Sequence, residues 1–220
     1  MPAKRDPDAA FAAIADQLHG FAAGGLIAEI TKTSDEMGSG SLQLVGAVLK
    51  DGIEVGRFNR TLLDTDGHWR AFHMRFDLDS AARGGPFRDA FFKHAESVYR
   101  EQGIDDIRVS AEDIGSYLWA KEGFHFWANE HGRRTAVVDL WKTRGRPIAD
   151  HAVQRGDLPA AVRAEIEQKF TEIEAGTEKP LEPVELAELA ADHTWHSGGH
   201  KMWLGKEMLI GWSWNGIKDI

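Results

Sequence analysis

The segment from Trp69 to Phe126 constrains the fold most, because its residues predict a strand, a glycine turn, a helix, a second strand and a second helix in that order. The predicted elements are a strand at 69–78, a turn at 83–86, a helix at 87–100, a strand at 104–110 and a helix at 114–121. A helix that begins directly after a glycine turn presents free backbone N–H groups at its N-terminus. Such an end can hold a pyrophosphate without any special side chain.

This order resembles the GCN5-related N-acetyltransferase (GNAT) superfamily. In that family a strand leads into an Arg/Gln-x-x-Gly-x-Gly/Ala turn that cradles the pyrophosphate of acetyl-CoA, and a later helix ends in a Tyr-x-x-x-Gly-Phe signature. Residues 78–88 lie where that turn would be, and residues 117–124 match the closing signature. The resemblance implies an α+β (mixed α/β) fold. Its central, mostly antiparallel sheet would contain a splayed parallel strand pair, with helices on either side and a C-terminal extension.

The resemblance also implies an activity. It points to an acyl-CoA-dependent N-acyltransferase, which moves an acetyl or related acyl group from acetyl-CoA or another acyl-CoA to a small-molecule or peptide amine by direct attack. The expected cofactor-binding residues are Phe76, Leu78, Arg83, Gly84, Gly85, Phe87 and Arg88.

Three residues depart from the family pattern. Pro86 and Arg88 stand where the family has small residues, and Pro86 removes one N–H donor from the turn. Trp119 stands where many members have the tyrosine that protonates the departing CoA thiolate. Tyr117 lies about 200° away from that position around the helix. These departures favour an alternative, a non-acetylating ligand-binding or interaction protein of the same fold, such as a toxin or regulatory module.

Strand alternation predicts the two faces of the strand at 69–78. The apolar face would hold Phe72, Met74, Phe76 and Leu78, and the polar face His73, Arg75 and Asp77. The polar face would point to the substrate or to water, and Glu54 on the preceding strand is a third candidate base. His73 is the preferred base because its ordinary pKa is close to neutral. The predicted catalytic residues are therefore His73, Asp77 and Tyr117.

The rest of the chain predicts a helix near the start, a meander of strands and a less legible last third. Helices are expected at 8–21, 158–173 and 184–191, strands at 42–49 and 53–63, a strand end at 137–141 and a hairpin or two short strands at 203–220. We expect a GNAT-like acyltransferase domain at 1–143 and a helical, tryptophan-rich extension at 144–220 that packs on it. Residues 144–147 are the nearest approach to a linker.

Composition excludes several classes of protein. The chain has no cysteine, so it has neither a disulfide framework nor a thiolate metal site. A net charge of −9 argues against a nonspecific nucleic-acid partner, and no apolar run is long enough to cross a membrane. We expect a cytoplasmic protein, with a monomer or a homodimer left open. His193, His196 and His200 have helical spacing, but a polar loop is favoured over a metal site.

Overall fold

In the computed structural model, the turn at Asp51 and Gly52 joins two long neighbouring strands. Both residues have positive φ, 52° and 76°, which is the geometry of a two-residue hairpin turn whose twist matches that of the strands. Lys50 then pairs with Ile53, and the register continues to the pair Ser41 and Leu63. The predicted hairpin is confirmed.

The structure describes residues 6–34, 41–65 and 67–220, and these divide into two compact units. The first unit runs to Val109 and also includes Lys218–Ile220, and the second is Ser110–Ile217. The sequence predicts a loop from Ser34 to Ser41, with Gly38 and Gly40, and residues 35–40 of it lie outside the described residues.

The first unit contains most of one sheet and the two helices that cover it. Its elements are α1 (Pro7–Leu18), β1 (Ala22–Ala23), β2 (Leu26–Ser34), β3 (Ser41–Lys50), β4 (Ile53–Thr65), β5 (His68–Leu78), α2 (Phe87–Gln102) and β6, which begins at Asp106 and ends at Ala111. The strand order is β1-β2-β3-β4-β5-β6. Neighbours are antiparallel except β5 and β6, which are parallel. The predicted fold class, a mostly antiparallel sheet with a parallel pair, is confirmed.

Helices α1 and α2 form because their ends are capped and their apolar residues share one face. The Asp6 carboxylate accepts the N–H of Asp8 at 3.1 Å at the start of α1, and Gly103 ends α2 with a φ of 74°. Phe91 of α2 is fully buried and packs on Phe58 of β4, with ring centroids 5.0 Å apart. The covered face of the sheet and these helices make the core of the first unit.

The second unit is mainly helical. Its elements are α3 (Ile114–Lys121), β7 (His125–Phe126), α4 (Glu130–Leu140), a π-helical turn (Trp141–Gly145), α5 (Arg146–Arg155), α6 (Ala160–Ala175), α7 (Pro183–Ala187), β8 (Trp195–Ser197), β9 (His200–Met202), α8 (Leu204–Leu209) and β10 (Trp214–Asp219), whose last residues belong to the first unit. Strand β7 pairs with β10, and β8 and β9 form a hairpin. Within the described residues, no helix has both the length and the apolar character to cross a membrane.

The last third departs from three sequence predictions. Residues 137–141 are helical and not a strand end, because Asn129 caps α4 and the helical run continues through the π-helical turn into α5. The same run contains residues 144–147, so they are not a linker. Residues 203–220 hold α8 and β10 and not a hairpin, which lies earlier, at β8 and β9. The domain division at 143 and 144 stays a prediction.

Candidate functional site

Strand β5 extends past the end of its parallel pairing. Among the described residues, its pairing with β6 ends at His73 and Val109, while β5 itself continues to Leu78. The chain then makes a single 3₁₀ turn at Ser80–Ala82 and enters α2 at Phe87. The predicted sequence of strand, turn and helix is therefore present, with the first backbone N–H groups of α2 directly after the turn.

The turn itself is open. Gly84 has a φ of +81°, and a Cβ atom at Gly84 or Gly85 would meet no described atom within 4 Å. Glycine allows a backbone to approach an anion closely. Pro86 precedes the first residue of α2 and has no N–H to donate. A phosphate at this turn would be held by the glycine amides and by the first turn of α2.

Both arginines of the turn have partners that they could exchange for a phosphate. The Nε atom of Arg83 donates to the Leu78 carbonyl at 2.7 Å, and the Nε atom of Arg88 donates to the Asp89 carboxylate at 2.7 Å. Asp89 is exposed, so its ion pair with Arg88 contributes little stability. Exchange of this ion pair for a phosphate would therefore cost little.

Of the two phenylalanines predicted to bind the cofactor, Phe87 belongs to the core and Phe76 is half-buried. The ring of Phe87 is 1% exposed and stacks on Phe91, with centroids 5.6 Å apart. Phe76 packs on Phe92, with centroids 5.0 Å apart. These two positions can offer a ligand their backbone groups, while their rings hold α2 on the sheet.

A β-bulge at Met74 changes which residues of β5 share a face. Asn59 pairs with Arg75 and Arg60 pairs with His73, so Met74 has no opposite residue. After the extra residue, the alternation is inverted. The predicted faces are therefore wrong: His73 lies on the face covered by α2, where Phe76 also lies, and Asp77 lies on the other.

The buried position of His73 removes the reason for choosing it as the base. Its side chain stacks on Phe92 and meets the edge of Tyr99, with both centroid distances 5.7 Å. Burial lowers the pKa of His73 well below its ordinary value, and the positive charges of Arg60 and Lys218 lower it further. The imidazole is therefore neutral at physiological pH and packs as an aromatic ring.

Asp77 is exposed on the opposite face. Its carboxylate forms an ion pair with Arg75, and the two side chains are 55% and 63% exposed. Such a pair contributes little to stability, so the carboxylate is available to a ligand. Its role as a base stays a prediction.

Sequence reasoning missed Arg60, the most deeply buried charged side chain among the described residues. Its side chain is 1% exposed, and the rings of Phe58, Phe76 and Phe92 lie 5.7, 5.9 and 5.6 Å from its Cζ atom. Burial lowers the pKa of Arg60 to about 10. The signal was present in the sequence, because Arg60 alternates in phase with the apolar residues Phe58 and Leu62 on a predicted strand.

Tyr117 lies in the second unit, within an aromatic cluster of its own. Its ring meets the edge of Trp203, with centroids 5.7 Å apart, and the Nζ atom of Lys206 lies 5.6 Å from the Tyr117 centroid. Trp119 packs on Phe124, with centroids 5.1 Å apart. The catalytic role of Tyr117 stays a prediction.

The three histidines near the C-terminus do not share a helix face. His196 and His200 lie on the two strands of the β8–β9 hairpin, and His193 lies before it. Over residues 6–34, 41–65 and 67–220, no group of three or more His, Asp or Glu side chains could hold a metal ion.

Comparisons with known proteins find similarity only among solved structures. No protein-family model matches the chain, and no curated protein does. A PaiA N-acetyltransferase from Thermoplasma acidophilum, solved with coenzyme A, is 17% identical with a TM-score of 0.33, over 38% of this chain and 52% of its own. A GNAT family acetyltransferase from Elizabethkingia anophelis, solved with acetyl-CoA, is 8% identical with a TM-score of 0.36, over 48% and 80%.

A third similar structure is an aminoglycoside acetyltransferase from an uncultured soil sample, solved with sisomicin. It is 15% identical with a TM-score of 0.31, over 38% of this chain and 55% of its own. This chain spans little more than half the length of that enzyme and of the PaiA enzyme. All three are acetyltransferases. Similarity of this size concerns part of the fold and assigns no activity.

Proposed function

We propose that this chain is an acyl-CoA-dependent N-acyltransferase, which moves an acetyl or related acyl group from CoA to an amine by direct attack. One observation carries the proposal: β5 continues past its last parallel pair with β6 and leads through an open glycine turn to the N-terminus of α2. This arrangement leaves a strand edge for an extended ligand and backbone N–H groups for its phosphates.

The residues of the first unit fit parts of an acyl-CoA in different ways. Gly84, Gly85 and the first turn of α2 would hold the pyrophosphate, with Arg83 and Arg88 exchanging their present partners for it. The backbone of Phe76 and Leu78 would run beside the extended part of the molecule. Acyl-CoA supplies a thioester, which an amine attacks without a covalent enzyme intermediate.

Proton transfer is assigned to residues that the fold leaves exposed or half-buried. Asp77 replaces His73 as the preferred base, because Asp77 is exposed and His73 is buried and neutral. Its carboxylate would take the proton that the amine loses on attack. Tyr117 is the proposed donor to the departing thiolate, since a phenol can donate a proton and the indole of Trp119 is a poor acid.

Calorimetric titration of acetyl-CoA and CoA tests the proposal. We expect micromolar binding to the natural sequence, and affinity about tenfold lower (about 1.4 kcal/mol) for Arg88→Ala or Arg83→Ala, because each loses a charge-assisted hydrogen bond to phosphate. Arg100→Ala is the matched control, since Arg100 lies at the far end of α2 and is 58% exposed in an ion pair with Glu96. Its affinity should not change.

The outcomes separate the proposal from its alternative. Absence of binding to the natural sequence would overturn the acyltransferase. Binding without thiol release, across a panel of polyamines, peptides with free N-termini and aminoglycosides, would favour the ligand-binding or interaction protein. The three departures from the family pattern, at Pro86, Arg88 and Trp119, are the residues that favour this second candidate.

A further inference from the structure

Arg60 is a buried cation, and the free energy needed to desolvate its charge calls for an explanation. It lies on β4 beneath α2, and within the described part of the chain it forms no ion pair. Its Nε and Nη2 atoms have no close hydrogen-bond partner among the described residues, although the hydroxyl of Tyr99 interacts with the guanidinium. A buried charge of this kind is costly to desolvate, and apolar replacements of buried ionic groups are often neutral or stabilising. Stability alone therefore does not explain an arginine at this position.

The bonds that Arg60 makes to backbone carbonyls lie at the β-bulge. Its Nη1 atom donates to the carbonyl of Asn59 at 2.9 Å and to the carbonyl of Arg75 at 2.7 Å. Asn59 and Arg75 are the pair that follows the bulged residue Met74. One nitrogen thus links β4 and β5 at the point where their register shifts.

The linked carbonyl belongs to the part of β5 that its parallel neighbour does not hold. Pairing with β6 ends at His73 in the described structure, and Arg75 lies beyond it. The rings of Phe58, Phe76 and Phe92 surround the guanidinium and fix its position. A change of the bulge by one residue would exchange the faces of every residue from Arg75 to Leu78.

We propose that Arg60 is a positioning residue, which fixes the β5 bulge through the carbonyls of Asn59 and Arg75 and so sets the path of residues 74–78 toward the glycine turn. Its functional half rests on the proposed function, because residues 76–78 are the segment along which acyl-CoA would bind. The structural half does not depend on any ligand.

Hydrogen exchange followed by mass spectrometry tests the structural half. In Arg60→Met, which keeps the apolar stem, we expect backbone amides at 74–78 to exchange about tenfold faster, while amides of β2 and β3 keep their rates. Arg60→Lys should give intermediate rates, because an ammonium cannot reach both carbonyls in the same planar geometry. Arg57→Met is the matched control: Arg57 lies on the same strand, is 63% exposed and pairs with Glu54.

Each outcome decides the structural half. Unchanged exchange at 74–78 in a folded Arg60→Met would overturn it, as would faster exchange spread evenly over the first unit. If Arg60→Met does not fold, Arg60→Lys decides, and wild-type exchange rates at 74–78 in that variant would overturn the inference.

The functional half is measured separately, by calorimetric titration of CoA. We expect affinity about tenfold lower for Arg60→Met and unchanged for Arg57→Met. Equal affinity in Arg60→Met and the natural sequence would overturn the functional half. If the natural sequence does not bind CoA, the proposed function and the functional half both fail, while the exchange data still decide what Arg60 does at the bulge.

Discussion

At the scale of single residues, His73 shows how surroundings decide a role that composition suggests. The groups that face it are the cations Arg60 and Lys218, the ring of Phe92, and Tyr99, whose pKa is raised by burial and partly lowered again by Arg60. Lys218 pairs with Glu96 at 2.7 Å. Burial and two cations oppose a proton on the imidazole, so His73 resists charging.

The pH dependence of stability follows from this resistance. The pKa of His73 is lower in the folded protein than in the unfolded chain. Below about pH 6.5, His73 therefore binds a proton in the unfolded chain but not in the folded protein, and this favours unfolding. When the pH falls from 7.5 to 5.5, the free energy of unfolding of the natural sequence should fall by about 1.4 kcal/mol more than that of His73→Leu. Urea denaturation of both proteins at the two pH values measures the difference, and an equal loss would show that His73 can be protonated in place.

The proposed proton-transfer residues are tested by separating turnover from binding. Asp77→Asn and Tyr117→Phe each remove one proton-transferring group and keep the size of the side chain. We expect kcat to fall about 100-fold or more, as for the loss of an acid or base, with the CoA affinity unchanged. Asp79→Asn is the control, because Asp79 is an exposed neighbour that comes directly after β5. An unaltered kcat in either variant would remove that residue from the mechanism.

At the scale of elements, the boundaries that the sequence predicted correctly are those marked by turn residues. Asp51 and Gly52 both have positive φ and mark the hairpin turn. Gly84 and Gly85 mark the turn before α2. Residues of the turns themselves therefore place these boundaries. The bulge at Met74 has no such marker, because the pairing with β4 creates it. This is why the strand was predicted and the faces of its second half were not.

Helix α4 is a second case in which the local sequence pattern did not decide the structure. Asn129 accepts the N–H of Gly132 at 2.8 Å and starts the helix, yet the apolar run at 137–141 is too short to distinguish a strand from a helix by its spacing. Packing decides: the ring of Trp141 stacks on Phe170 of α6, with centroids 4.6 Å apart. A tertiary contact of this kind is not visible in a local pattern.

At the scale of the whole molecule, the tryptophans divide unevenly between the two units. Of the 8 tryptophans, Trp69 lies in the first unit and the others lie in the second. Four of those, Trp195, Trp203, Trp212 and Trp214, come near the end of the chain and are an alternative place for a planar ligand. Their indole groups are already engaged in part, since the Nε1 atoms of Trp195 and Trp203 donate to Glu207 and Ala187. The glycine turn of the first unit is the more open of the two.

The unit that holds the ligand can be identified by exchange over the whole chain. With acetyl-CoA at 100 times its dissociation constant, the free energy of opening the unit that binds it rises by about 2.7 kcal/mol. Some backbone amides at 74–90 exchange only when the unit opens and releases the ligand. The exchange rates of these amides should therefore fall about 100-fold, while those at 195–214 stay the same. The same measurement on Arg88→Ala, at the same ligand concentration, should show about tenfold less protection. Protection confined to 195–214 would place the ligand among the tryptophans and contradict a site at the glycine turn.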